Sequence, residues 1–311
     1  MADDVELPFP KVRYDITMPL LEGRVAIPGV RLKPVPTGSM VNADVPALRK
    51  GDFGLWDLNL GYLLPAIEAG WQLAALPVFS KRKPAYQFIF CRRDITEPKQ
   101  LEGKRVAART YRTALTVWAR GLLRHRHGVD VEKMRWVTWA DEFFPVHDTT
   151  ASIEKASGGS PGDALLSGDV DALITDISDV NLFRELEGDT RVHRLFEDYE
   201  AEDLKTGFYT PVHVIVISRR HLHLARRLYE AFVEAKRLSD EDILSDRSGF
   251  SVVYLRERMK EQQATWGDPF AHGFTPNKAA IEAFFAHNVE QGMVRQALSC
   301  EQVFAPGLLD T

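Results

Sequence analysis

An α/β fold in two lobes is the architecture this sequence predicts, and three observations carry the prediction. At 311 residues the chain exceeds one comfortable core and suits two lobes of ordinary size. Short β-rich runs alternate with helical runs from end to end: VRYDITM, FGLWDLNL, QFIFC, KRVAA, RWVTW, DALIT and HVIVI. Two mixed-charge connectors, RRDITEPKQLEGK after QFIFC and EDLKTGFYTP before VHVIVI, suggest that the chain crosses between lobes twice. These crossings predict a discontinuous first lobe, residues 1–94 with 212–311, and an inserted second lobe, 95–211.

The elements follow in order. VRYDITM alternates, with Val12, Tyr14, Ile16 and Met18 on one side and Arg13, Asp15 and Thr17 on the other, so it predicts a half-buried strand whose polar face meets a cleft. Residues 113–124 place Leu115, Trp118 and Leu122 on one helical stripe with Arg120 and Arg124 away from it, and Thr110 and Thr113 stand as possible caps. The loop Ser157–Gly162 is rich in small residues and precedes a helix-strand unit at 163–175. Leu224, Leu228, Ala231, Phe232, Ala235 and Leu238 repeat the helical spacing, as do Ile281, Phe284, Phe285 and Val289 downstream of a Thr275–Pro276 start.

Composition narrows the function classes. An apolar share of 45%, a charged share of 27%, 17 Phe and 6 Trp are those of a globular chain able to bury a large core. A net charge of −5 and a basic run confined to Arg124–His127 argue against nucleic acid as a partner. The first residues carry acids where a secretory signal carries Lys or Arg, and no run of about 18 apolar residues occurs, so the expectation is a cytoplasmic chain without a membrane partner. Cys91 and Cys300 form neither a disulfide framework nor a zinc knuckle and are expected to be idle thiols. No glycine-rich phosphate loop appears. Asp141, Glu142, His147 and Asp148 lack a metal-ligand spacing, and His125 with His127, like His221 with His223, points in different directions from a helix, so no metal and no other cofactor is expected. The apolar C-terminal helices allow a homo-oligomer.

Ordered stretches along nearly the whole chain then resemble one family. They are Tyr14-Asp15-Ile16-Thr17 with LLEGRV and IPGVRL, PVFSKR at 77–82, GKRVAARTYRTALTVWARGLL at 103–123 and WVTW at 136–139. LLSGDVDALI at 165–174, GDTRVHRLFEDY at 188–199, GFYTPVHVIVISRR at 207–220, TPNKAAIEAFFAHNVEQG at 275–292 and FAPGLLDT at 304–311 complete the order. In these stretches the chain resembles the 4,5-dihydroxyphthalate decarboxylases. The resemblance implies a type 2 periplasmic-binding-protein-like fold with a ligand cleft between lobes, and non-oxidative decarboxylation of a hydroxylated aromatic carboxylate. Two cationic positions of the family are missing: Ile16 stands where an Arg follows Tyr-Asp, and Ala85-Tyr86 stands where an Arg-His pair precedes the hinge strand. A phthalate-like diacid is therefore not assured as the substrate, since function rests on the site and not on the fold.

That chemistry needs a carboxylate clamp, a base for the ring hydroxyl and an acid for the carbon that loses carbon dioxide. A hydroxyl para to the departing carboxylate becomes a carbonyl when the ring is protonated, so the ring serves as its own electron sink. His213, at the start of the returning hinge strand and matching the family's histidine, is the expected acid. Asp15 is the expected base. Arg82, before the hinge strand, and Arg112, in a loop at a helix start where anions are favoured, are the expected clamp. Tyr14, Thr17, Tyr86, Tyr111 and Thr113 are candidate lining residues, as are Thr175 and Asp176 beyond the carboxyl end of DALIT. Two other functions suit the same residues: a non-catalytic protein that closes around a small carboxylate, and a different enzyme on the same scaffold. Turnover separates the first of these from the lyase.

Overall fold

In the computed structural model the described residues are 4–10, 14–35, 45–175, 180–245 and 249–311. Twelve strands follow in chain order: β1 Val5–Pro10, β2 Val30–Val35, β3 Leu55–Asn59, β4 Leu73–Ala75, β5 Lys81–Arg82, β6 Ile89–Arg92, β7 Arg105–Ala108, β8 Arg135–Thr138, β9 Ser152–Lys155, β10 Ala172–Ile174, β11 Val192–Arg194 and β12 Pro211–Ser218. The chain divides into two compact units. Unit 1 comprises 1–82, 211–279 and 298–311, and unit 2 comprises 83–210 and 280–297.

Unit 1 is built on β12, whose run PVHVIVIS is buried at every position except His213. β12 pairs antiparallel with β3, β4 and β5, so the sheet of this unit is antiparallel, whereas the alternation of β-rich and helical runs suggests β/α units around largely parallel sheets. The reason is connectivity: a strand that returns after a long excursion enters between strands already laid down and can run against them. A separate parallel pair, β1 with β2, lies alongside. Leu7, Phe9, Leu55, Ile215, Ile217, Leu228 and Phe232 form the core that these strands share with the helix Ala225–Leu244. Full burial of such side chains contributes about 1.5–3 kcal/mol each.

Unit 2 holds a six-stranded sheet in the order β11-β6-β10-β7-β8-β9. Its β10, β7, β8 and β9 run parallel, as the alternating pattern predicts, whereas β6 is antiparallel to both of its neighbours. The crossing points differ from the expected 94/95 and 211/212. QFIFC enters unit 2 because β6 pairs with β10 and β11, and the segment 280–297 joins unit 2 because Phe284 and His287 pack on Trp118.

Helix Ala114–His127 extends three residues beyond the predicted stretch, to a left-handed cap at Gly128. Its Arg120 is fully buried, contrary to the expected exposed face. The helix predicted from Ile281 begins at Lys278, after a 3-10 turn Thr275–Asn277 in which Thr275 is inside the turn and does not cap it. The small-residue loop ends earlier than expected, because Ser160 caps a helix at Pro161–Ser167 by accepting from Asp163 N–H at 3.1 Å.

VRYDITM is not a strand. Val12 and Arg13 lie outside the described residues, Asp15–Thr17 is a 3-10 turn, and Met18–Leu21 continues as a helical turn with Pro19 near its start. Thr17 is buried and donates its hydroxyl to the Tyr14 carbonyl at 2.9 Å, closing the turn. Asp15 and Thr17 therefore do not share a face. Asp15 is exposed, Thr17 buried.

Candidate active site

β12 and β3 bring together a group that lies wholly within unit 1. In the antiparallel register His213 faces Asn59 and Ile215 faces Asp57, so His213 and Asp57 are diagonal neighbours on one face of the sheet. His213 Nδ1 lies 2.7 Å from Asp57 Oδ2. The other carboxylate oxygen, Oδ1, accepts from the Ser80 hydroxyl, and the Tyr14 hydroxyl donates to Oδ2 at 3.4 Å. Lys81, the next residue after Ser80, is the register partner of His213 on β5.

Electrostatics fix the protonation pattern. Burial alone would push the Asp57 carboxyl up, but the charge and hydrogen bond of His213, the Ser80 hydroxyl and the Lys81 charge outweigh it and hold Asp57 below the ordinary carboxylate range. An ionised carboxylate can only accept, so Nδ1 of His213 must donate. Nε2 is then the ring nitrogen that gives or takes a proton. The Asp57 side chain is 8% exposed and that of His213 22%, so the carboxylate is shielded while the imidazole still meets solvent. A shielded acceptor behind a half-exposed imidazole is an arrangement for directed proton transfer.

Each of the other expected site residues has the following surroundings within its own unit. Asp15 lines a hollow of unit 1 with Lys236, Asp240 and Asp268. Arg82 is buried, not a surface charge: it donates to the Ala271 carbonyl at 3.2 Å and to Asn277 Oδ1 at 2.5 Å, and lies over the Phe79 ring at 5.2 Å. Arg112 belongs to unit 2 and is fully buried. Its Nε donates to Glu142 at 3.2 Å and its Nη2 to the Phe144 and Pro145 carbonyls at 2.7 and 2.8 Å. It thus tethers the 142–145 loop. Of the two arginines of the expected clamp, Arg82 belongs to unit 1 and Arg112 to unit 2.

The expected lining residues of unit 2 make these contacts inside that unit. Tyr86 is buried, meets His127 Nε2 at 3.1 Å and sets its ring edge-on to Phe196. Tyr111 is buried with the Arg120 guanidinium 3.6 Å above its ring, and its N–H donates to Glu142. Thr113 precedes helix Ala114–His127 without capping it by side chain, its hydroxyl meeting that of Thr116 at 2.6 Å. Thr175 is buried, with its N–H on the Phe88 carbonyl at 3.1 Å. Asp176 lies outside the described residues. Both thiols are uninvolved in the His213 group, and burial pushes Cys91 up to about 12.

Asp57 was missed. The signal was present, because a carboxylate inside the apolar strand LWDLN is costly to bury unless it is paired.

No family model matches the chain. The 4,5-dihydroxyphthalate decarboxylase of Comamonas testosteroni is 24% identical over 323 aligned positions, covering 96% of each chain. The 4,5-dihydroxyphthalate decarboxylase of Pseudomonas putida is 27% identical over 154, covering 48% of this chain and 56% of that one. Among solved structures, the periplasmic sulfonate-binding protein SsuA of Methylobacillus flagellatus superposes with a TM-score of 0.59 at 11% identity, over 98% of this chain and 93% of that one. The SsuA of Escherichia coli gives 0.57 at 17%, covering both chains fully, and the desulfurization enzyme DSZB gives 0.54 at 15%, over 99% and 98%. These structural likenesses show the fold. The chain is therefore similar, over almost its whole length, to a 4,5-dihydroxyphthalate decarboxylase, on the periplasmic-binding-protein-like scaffold that the sulfonate-binding proteins share.

Proposed function

We propose that this protein is a carbon–carbon lyase that decarboxylates a hydroxylated aromatic carboxylate without an oxidant. The observation that carries the reading is the 2.7 Å contact between His213 Nδ1 and the ionised Asp57, which commits Nε2 to proton transfer. In the reaction the C–CO2⁻ bond of the substrate breaks. A proton from His213 Nε2 forms the new C–H bond at that carbon, and carbon dioxide leaves. Asp57 holds the imidazole in orientation and offsets its positive charge before the proton is given. The names of the relatives and the match of His213 to the histidine of that family support this assignment.

Recognition of the substrate carboxylate is assigned to Lys81, beside His213 on β5, in place of the expected clamp of Arg82 with Arg112. One cation at this place suits one carboxylate. With Ile16 and Ala85 where the family carries cations, a hydroxybenzoate-like monoacid is the preferred substrate over a phthalate-like diacid.

The test is carbon dioxide release from a panel of hydroxylated benzoates and phthalates. Release from a para-hydroxylated member, with deuterium from heavy water at the vacated ring carbon, supports the lyase. Saturable binding with no release from any member would identify a carboxylate-binding protein instead.

A further inference from the structure

In unit 2 the last turns of two helices approach each other. His125 stands near the end of Ala114–His127, and His287 and Glu290 stand near the end of Lys278–Glu290, where a spacing of three places them on one helix face. His125 Nε2 lies 2.7 Å from Glu290 Oε2, and His287 Nδ1 lies 3.7 Å from the same oxygen. The two imidazoles are stacked, with centroids 5.2 Å apart and an angle of 18° between planes. One potential ligand atom from each residue thus falls within 4.8 Å of the others.

His287 gives the cluster its direction. It is 7% exposed, it packs at right angles to Trp118, and its Nδ1 has no partner within hydrogen-bond distance among the described residues, Glu290 Oε2 standing at 3.7 Å. A buried ring nitrogen at that separation is completed by a ligand set between it and the carboxylate. Gly121 makes room for the ring, since a Cβ there would come within 2.3 Å of it. His125 and Glu290 are exposed and provide an entry path. The nearby Arg120 charge opposes a cation, and the Glu290 carboxylate offsets it.

We infer that His125, His287 and Glu290 form a binding site for a divalent transition-metal ion of zinc's preference. Two imidazole nitrogens and one carboxylate oxygen are the donor set that such an ion takes, with bonds of about 2.0–2.2 Å, and three protein ligands leave a position for water. The bound ion clips segment 280–297 to helix Ala114–His127 inside unit 2. The sequence concealed this site because His125 and Glu290 are 165 positions apart, and His125 read against His127 points nowhere. The site shares no residue with the His213 group, so it stands or falls independently of the proposed reaction.

The test uses the full, untagged chain, stripped with chelator and titrated with zinc chloride and cobalt chloride by calorimetry and thermal denaturation. The expected result is one zinc per chain with a rise in Tm, and visible ligand-field bands with cobalt. His125→Ala and Glu290→Gln are surface substitutions; each is expected to keep the metal-free circular dichroism and Tm and to lose affinity at least about tenfold, the loss that even an outer-shell partner causes. Absence of saturable binding by wild type, or wild-type affinity in both variants, would overturn the assignment. Should one variant unfold, the other decides.

Discussion

His213 with Asp57 in unit 1 and Arg112 with Glu142 in unit 2 each pair a basic side chain with a carboxylate, and they are built for different work. Asp57 is shielded, but its histidine is partly exposed and has a second ring nitrogen that Asp57 does not hold. Arg112 is completely buried and directs its Nε and Nη2 to Glu142 and two carbonyls of one loop. Burial pushes Glu142 up, and the Tyr111 N–H with the Arg112 and Arg120 charges opposes that rise. The lesson is that a charged residue at the start of a helix or beside a strand declares itself functional only through what its remaining donors face. A cation whose polar atoms meet carbonyls of its own unit holds structure. An imidazole fixed at one nitrogen and open at the other can do chemistry.

Substitutions at these pairs break or sharpen the contrast. Among substitutions that leave His213 in place, the largest effect is expected of Asp57→Asn, which keeps the shape but removes the acceptor that orients His213. Carbon dioxide release should fall about a hundredfold or more, in the range by which positioned acid–base groups act. The same substitution tests stability. Asp57 is held below its ordinary value in the folded state, so its stabilisation is present above about pH 4, near the unfolded value, and is lost as pH falls through the folded value. Acid unfolding of wild type and variant should therefore differ most near neutrality and converge at low pH.

Arg112→Met should lower the stability of unit 2 by about 3–5 kcal/mol in urea unfolding, because it leaves Glu142 buried beside a missing partner. Release per folded molecule should stay unchanged; loss of release without loss of stability would restore Arg112 to a substrate clamp. Lys81→Ala should raise KM about tenfold, or ~1.4 kcal/mol, with kcat little altered. Asp15→Asn is expected to do least. An exposed carboxylate away from His213 should change stability by less than about 0.5 kcal/mol and leave release intact.

Much of the fold was legible. KRVAA, RWVTW, DALIT and HVIVI became β7, β8, β10 and β12 because β-branched and apolar runs between turn signals are sufficient evidence for interior strands. VRYDITM misled because seven alternating residues satisfy a period of two without forming a strand, and the decisive interaction, Thr17 on the Tyr14 carbonyl, is local turn chemistry. The unit boundaries escaped because β6 is assigned by β10 and β11, distant in sequence, and nothing within QFIFC announces those partners. The site was half legible. His213 was found through the resemblance, whereas Asp57 required the register of β3 against β12, a pairing between residues 156 positions apart.

The most direct test of the central claim compares wild type with His213→Ala in two measurements on the same preparation: binding of a hydroxylated aromatic carboxylate by calorimetry, and carbon dioxide release from it. The expected result is binding within about tenfold of wild type, as removal of a single ordinary hydrogen bond to the ligand would give, with release reduced to background. Release undiminished in His213→Ala would contradict the assignment of this histidine as the proton donor.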